Sequence, residues 1–138
     1  RIHKMKKDFQ KWHTKKSRIN DIEKRPFFHE REIWFCHLGA NVGFEQDGSG
    51  DDFLRPVIIV RKFNNEIFWG IPLTKIDKDM HKKSAKYYFE FFLKERGKNF
   101  AILSQIRLID ARRLNYMIGE ISGKDYQFLT EKLKALLP

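Results

Sequence analysis

Residues 43–60 read GFEQDGSGDDFLRPVIIV. Glu45 and Arg55 stand at the two mouths of this glycine-rich, acidic loop, and an apolar β-type run at 57–60 leaves it. A carboxylate can accept a proton, and a guanidinium can fork onto paired anionic oxygens. Pro56 ends the loop and launches the apolar run, so Arg55 stands on a stiff edge. Thr74, Ser104, Gln105 and Arg107 also fall at strand ends or beside loops. Binding and catalytic groups concentrate at such positions, although the same residue types also serve as simple caps and turn formers.

Other chemistries find no support in the residue pattern. His3, His13, His29, His37 and His81 form no HxxxH spacing, and one cysteine allows no CxxC pair, so no metal site is expected. DGSGDD at 47–52 resembles the start of a calcium loop. It lacks the central glycine, and Ile58 occupies the position of the final acidic ligand. No GxSxG and no P-loop are present, which leaves nucleotide cofactors without a motif; no cofactor is expected. Cys36 lies within a strand pattern and reads as a buried structural thiol.

The chain has 138 residues, enough for one compact core. Lysine and arginine number 28 against 18 acids, a net charge of +10. That excess points to a polyanion partner, nucleic acid first, or to an acidic protein covering the same surface. No apolar run reaches the roughly 18 residues of a membrane span. The N-terminal stretch RIHKMKKDFQKWHTKKS lacks an apolar signal-peptide core. With a single cysteine, this predicts a reducing, cytoplasmic setting.

The elements that must position these residues follow from periodicity. Ile2, Met5, Phe9, Trp12, Ile19 and Ile22 recur at three- and four-residue steps, which predicts a helix over 2–23. Basic residues fill its other faces, so it either packs on its own domain or lies on RNA. Arg25-Pro26 ends it. Strands are predicted at 32–38, 56–60, 66–74, 85–93 and 99–109, with a lysine-rich loop over 75–86. Asp110 reads as the N-cap of a short helix, ARRLNYM, followed by a brief strand over 118–121. Ser122 and Asp125 resemble a capping box for a final helix over 123–137, with Tyr126, Leu129, Leu133 and Leu136 or Leu137 facing inward. Many short strands with tight turns predict a small barrel, mainly β with added helices (α+β). The expected organisation is a basic helical extension over 1–28 and a barrel domain over 29–138.

The ordered segments REIWFCHLGANVGFEQ, RPVIIV, GIPLT, LSQIRLIDARRL and IGEIS resemble the MazF/PemK toxins of bacterial type II toxin–antitoxin pairs, from about Glu32 to the C-terminal helix. The resemblance implies a small SH3-like barrel of the MazF/PemK/CcdB type that forms a homodimer. It implies an endoribonuclease that cuts single-stranded RNA without metal, through attack of the 2′-OH to give a 2′,3′-cyclic phosphate and a 5′-OH. It also implies a MazE/PemI-like antitoxin whose acidic, disordered tail covers the RNA groove. Matched position by position, Arg55, Thr74 and Glu45 are the expected catalytic residues. Glu45 either accepts the 2′-OH proton or holds Arg55 in place. Gln46, Phe53, Lys75, Ser104, Gln105 and Arg107 are the expected RNA-binding residues. Phe44, Phe53, Trp69 and Tyr87 are candidates for base stacking. Trp69, mid-strand, is expected in the core, and Phe53, in a polar loop, is expected to stack.

The sequence also departs from the family pattern. Other members carry an aspartate directly before the QxR motif and an arginine two residues earlier; those positions here are Ser104 and Ile102. The loop between Glu45 and Arg55 is longer and more acidic than in compact members. Three rival readings accompany the nuclease: a same-fold topoisomerase poison of the CcdB kind, an RNA-binding barrel that leaves its ligand intact, and an N-terminal helix that serves as antitoxin dock or dimer element with no RNA contact.

Overall fold

The structure, a computed structural model, describes residues 6–75 and 85–138. Residues 2–5 of the expected N-terminal helix, most of the lysine-rich loop, His3 and His81 lie outside the described residues. The chain is mainly β with added helices. Helix α1 spans Phe9–Asn20. Seven strands follow: β1 (Glu32–His37), β2 (Leu54–Lys62), β3 (Ile67–Thr74), β4 (Tyr88–Leu93), β5 (Gly97–Ile102), β6 (Arg107–Asp110) and β7 (Leu114–Glu120). Helix α2, Gly123–Lys134, closes the chain. The strands are antiparallel in the order β4-β5-β3-β2-β1-β7, and β6 pairs with the first half of β3. Among the described residues no helix is long and apolar enough to cross a membrane.

β2 explains why its sequence is apolar at every position from 57 to 60. Ile58 and Val60 face one core with Ile71, Leu73, Ile121 and Leu129. Val57 and Ile59 face a second, with Phe28, Cys36, Phe68 and Ile109. A strand covered on both faces has no position for a polar side chain. β1 splits the same way, Ile33 into the first core and Trp34 and Cys36 into the second. Burial pushes the Cys36 thiol up to about 12, which makes it an inert packing group.

α2 forms as its sequence signals. The Ser122 side chain accepts from the Asp125 N–H, and Tyr126, Leu129, Leu133 and Leu136 pack on the first core. Leu137 is exposed.

Three expectations are corrected. The run 99–109 is not one strand: a 3-10 turn at Leu103–Gln105 separates β5 from β6. Asp110 does cap, accepting from the Arg112 N–H, but the capped turn is only Ala111–Arg113, and β7 follows instead of a helix. The strand predicted at 85–93 opens with a 3-10 turn, Ala85–Tyr87, and pairs only from Tyr88.

α1 is shorter than its apolar stripe. Trp12 and Ile19 are buried, whereas Phe9 and Ile22 are exposed. Its seat is a small separate cluster of Trp12, Ile19, Ala40 and Phe53. The connection to β1 is held where Arg25 donates to both carboxylate oxygens of Asp110, at 2.9 and 3.0 Å. Burial raises the Asp110 carboxyl, but the Arg25 and Arg112 bonds and charges outweigh it and hold the group below its usual range.

Candidate active site

Arg55 lies in β2 opposite Cys36 of β1, one residue before the proline. Its half-buried guanidinium bridges two chain segments. Nε donates to the Asp47 carbonyl at 2.5 Å, and Nη1 donates to the Leu73 carbonyl at 3.1 Å. The second bond sets the guanidinium beside the peptide that joins Leu73 to Thr74. Thr74 is partly buried at the end of β3, opposite Phe100 of β5. Burial pulls Arg55 below its usual value, and the nearby Asp47 charge opposes that shift. The group remains a cation, since a guanidinium starts so far above neutrality.

An open groove of about 610 Å³ adjoins this point. Glu45, Gln46, Ser104, Gln105 and Arg107 line it, together with Phe44 and Pro72. Arg55 and Thr74 are not among the lining residues; Arg55 reaches the groove indirectly, through the Asp47 and Leu73 carbonyls, each one residue beyond a lining residue, Gln46 and Pro72. Five of the nine residues expected at the site therefore share one cavity.

Gln105 has a structural task here. Its side-chain oxygen accepts from the Gln46 N–H at 3.2 Å, and its amide nitrogen donates to the Phe44 carbonyl at 3.0 Å. It fastens the 44–46 loop to the Leu103–Gln105 turn. The exposed Glu45 carboxylate accepts from the Val42 N–H at 3.1 Å. Glu45 is thus not what holds Arg55; the Asp47 and Leu73 carbonyls do that. Lys75 is exposed and donates to the Arg96 carbonyl, away from the groove lining. Arg107 is backed by Arg113, whose guanidinium burial and the Arg107 charge both hold below its usual value. Arg113 donates to the His37 carbonyl at 3.0 Å.

The aromatic expectations reverse. Phe53 is 8% exposed and packs on Trp12 with ring centroids 5.3 Å apart, so it offers no face to a base. The loop is polar, but its one aromatic turns inward to meet a helix that the local sequence does not reveal. Trp69, expected in the core, is 45% exposed and meets Phe63 edge-on. Phe44 is 96% exposed on the lip of the groove, and Tyr87 is exposed.

Sequence reasoning missed Asp47 and Lys7. Asp47 supplies the carbonyl that holds Arg55, and its carboxylate receives the Asn41 N–H at 2.6 Å and the Lys7 ammonium at 3.0 Å. The available signal was a spacing: lysines at 7, 11 and 15, the first just ahead of α1 and the other two on it, against acids at 47, 51 and 52. They pair in that order, at 3.0, 2.6 and 3.1 Å.

Comparison with known proteins agrees with this architecture. The chain resembles the Mycobacterium tuberculosis toxin MazF-mt6 with a TM-score of 0.54 at 15% identity, covering 76% of this chain and 94% of that one. It resembles MazF from Deinococcus radiodurans with a TM-score of 0.59 at 14% identity, covering 83% and 97%. At such identities the likeness is one of fold. No curated protein matches the chain. The sequence model of the PemK-like, MazF-like toxins of type II toxin–antitoxin systems matches residues 29–137, and the chain belongs to that family.

Proposed function

We propose that this toxin is an endoribonuclease that cuts single-stranded RNA bound in this groove, with Arg55 as its central catalytic group. The observation that carries the reading is Arg55 itself: a half-buried cation, fixed by the backbone carbonyls of Asp47 and Leu73, whose chain neighbours Gln46 and Pro72 line an open polar groove. RNA brings its own nucleophile. The 2′-oxygen bonds to the adjacent phosphorus, the bond to the 5′-oxygen breaks, and the products are a 2′,3′-cyclic phosphate and a 5′-OH. Catalysis then requires alignment, two proton movements and stabilisation of the charge gained by the phosphorane.

Arg55 keeps one Nη1 hydrogen and both Nη2 hydrogens for phosphoryl oxygens, since its two protein bonds use only Nε and Nη1. It serves as a charge clamp and as proton donor to the leaving oxygen. Thr74, next along the chain to the Leu73 carbonyl that Arg55 grips, contributes a hydroxyl to the phosphate. Glu45 has a second carboxylate oxygen beyond the one bound to Val42 and takes the 2′-OH proton. Phe44 offers a stacking face, and Gln46, Ser104 and Arg107 contact the strand. Lys75 contributes long-range attraction. The net charge of +10 suits a polyanionic substrate, and equally an acidic antitoxin segment that occupies the same groove. A homodimer completes this reading, and the chain works in the cytoplasm.

End-labelled single-stranded RNA, incubated in EDTA with the wild-type chain and with Arg55→Ala, tests the proposal. Discrete cuts ending in cyclic phosphate and absent with the variant are expected. Intact RNA across several unrelated sequences would overturn it in favour of the non-cleaving barrel or the topoisomerase poison.

A further inference from the structure

The N-terminal segment lies outside the residues matched to the family, yet it reaches the site. The Lys7 ammonium lies 2.5 Å from the Asn41 carbonyl, 3.1 Å from the Gly43 carbonyl and 3.0 Å from the Asp47 carboxylate. An ammonium has three N–H donors, and this one has three partners, all on the loop that carries Phe44, Glu45 and Gln46. Asp47 passes the constraint on. Its carboxylate is held by Lys7 and by the Asn41 N–H, and its own carbonyl receives Arg55 Nε. Lys11 and Lys15 pair with Asp51 and Asp52 further along the same loop, and neither side chain forms a hydrogen bond or ion pair with residues 41–47.

We propose that Lys7 and Asp47 are positioning residues: the N-terminal segment fixes the loop at 41–47 and thereby sets the Arg55 guanidinium for its substrate. The inference rests on the nuclease reading for its kinetic consequence, but not for its structural one. It also explains the longer, acidic loop as the counterpart of a basic helix, its charges matched pairwise by Lys7, Lys11 and Lys15.

The three lysines give an internal control, because each forms one ion pair from the same segment. The full chain is compared with Lys7→Met, Lys11→Met, Lys15→Met, Asp47→Asn and the Lys7→Met/Asp47→Asn double variant. Thermal midpoints establish that each is folded at the assay temperature. The Arg55 Nε–H resonance in arginine-labelled protein moves in Lys7→Met and Asp47→Asn and stays in Lys11→Met and Lys15→Met. With single-stranded RNA, Lys7→Met lowers kcat by up to about a hundredfold, the scale of a catalytic group misplaced by about 1 Å, while KM stays near wild type. The double variant loses less than the sum of the two single ones, since the Lys7–Asp47 pair is shared between them. An unmoved Arg55 resonance in Lys7→Met, or equal kcat losses in all three lysine variants, overturns the inference. A wild-type chain that leaves RNA intact while the resonance still shifts overturns the nuclease reading and leaves the positioning contact standing.

Discussion

Replacing Gly39 with alanine tests how α1 is joined to the sheet. Gly39 has φ +83°, and a Cβ there would lie 1.9 Å from Trp12 Cε2 and 2.2 Å from Cζ2. Gly43 provides the control: it has φ +55°, and nothing lies within 4 Å of its Cβ position. Both alanines carry left-handed backbone strain of about 1–2 kcal/mol, offset by about 0.4–1 kcal/mol of reduced freedom in the unfolded chain. Only the first also drives Trp12 from its seat. Trp12 is 5% exposed, with Phe53 at 5.3 Å and the Arg113 guanidinium at 5.6 Å from its ring. Complete loss of a buried tryptophan side chain costs about 3–5 kcal/mol, so displacing it costs about 2–4 kcal/mol beyond the Gly43 control. In a domain stable by about 5–15 kcal/mol that difference is large. Urea unfolding of the two variants measures it, and tryptic cleavage between residues 6 and 24 reports whether α1 lifts first. Equal stabilities would refute the reasoning, because they would mean that Trp12 does not rest on Gly39.

Two further predictions concern an acid response and the aromatics. His37 Nδ1 lies 2.6 Å from the Asp52 carbonyl, so it carries the proton of the neutral ring, and burial holds the imidazole below its usual 6.5, with Lys15 and Arg113 adding to that shift and the Asp52 bond and charge opposing it. A depressed folded value means that the unfolded chain takes up the proton first. The stabilising contribution is complete above about 6.5 and is lost as pH falls from there through the folded value, so His37→Gln flattens that limb of the stability–pH curve; an unchanged slope would contradict the assignment. Phe53→Ala lowers stability by about 3–5 kcal/mol and leaves RNA affinity at wild type, whereas Phe44→Ala weakens RNA binding by about 1–3 kcal/mol and leaves stability within about 0.5 kcal/mol. Urea midpoints and a filter-binding titration separate the two, and the opposite pattern would restore Phe53 as the stacking residue.

Much of the fold is legible in the sequence because its signals are local. The apolar runs of β1 and β2, covered on both faces, and the Ser122 cap of α2 are each stated locally and need no knowledge of the partner. The failures occur where a distant partner decides. ARRLNYM has a genuine N-cap and a helical look, but pairing of Leu114–Glu120 with β1 outweighs the local preference. LSQ reads as strand, yet the chain must turn there to pass from β5 to β6, which both pair with β3. Trp69 is exposed because β3 faces the core with Phe68 and turns its neighbour outward, a matter of register rather than residue type.

The site divides along the same line. The motif residues Glu45, Gln46, Ser104, Gln105 and Arg107 meet in one groove, as their places at strand ends suggest. The groups that set Arg55 are two backbone carbonyls, 8 and 18 residues away, which leave no mark on residue type, and Lys7, which reaches Arg55 only through Asp47 and whose one signal is its spacing against the loop acids. Phe53 deceived for the same reason: a polar loop hides an aromatic whose partner is on α1.

The most direct measurement of the central claim is cleavage of end-labelled single-stranded RNA in EDTA by the wild-type chain and by Arg55→Ala, with the ends of the products identified. Loss of one preorganised donor costs about 3–4 kcal/mol of barrier, so the variant is expected to cut at least about a hundredfold more slowly, at the same positions and with the same cyclic-phosphate ends. Equal rates for the two proteins, with both folded, would contradict the role given to Arg55 and with it this account of the site.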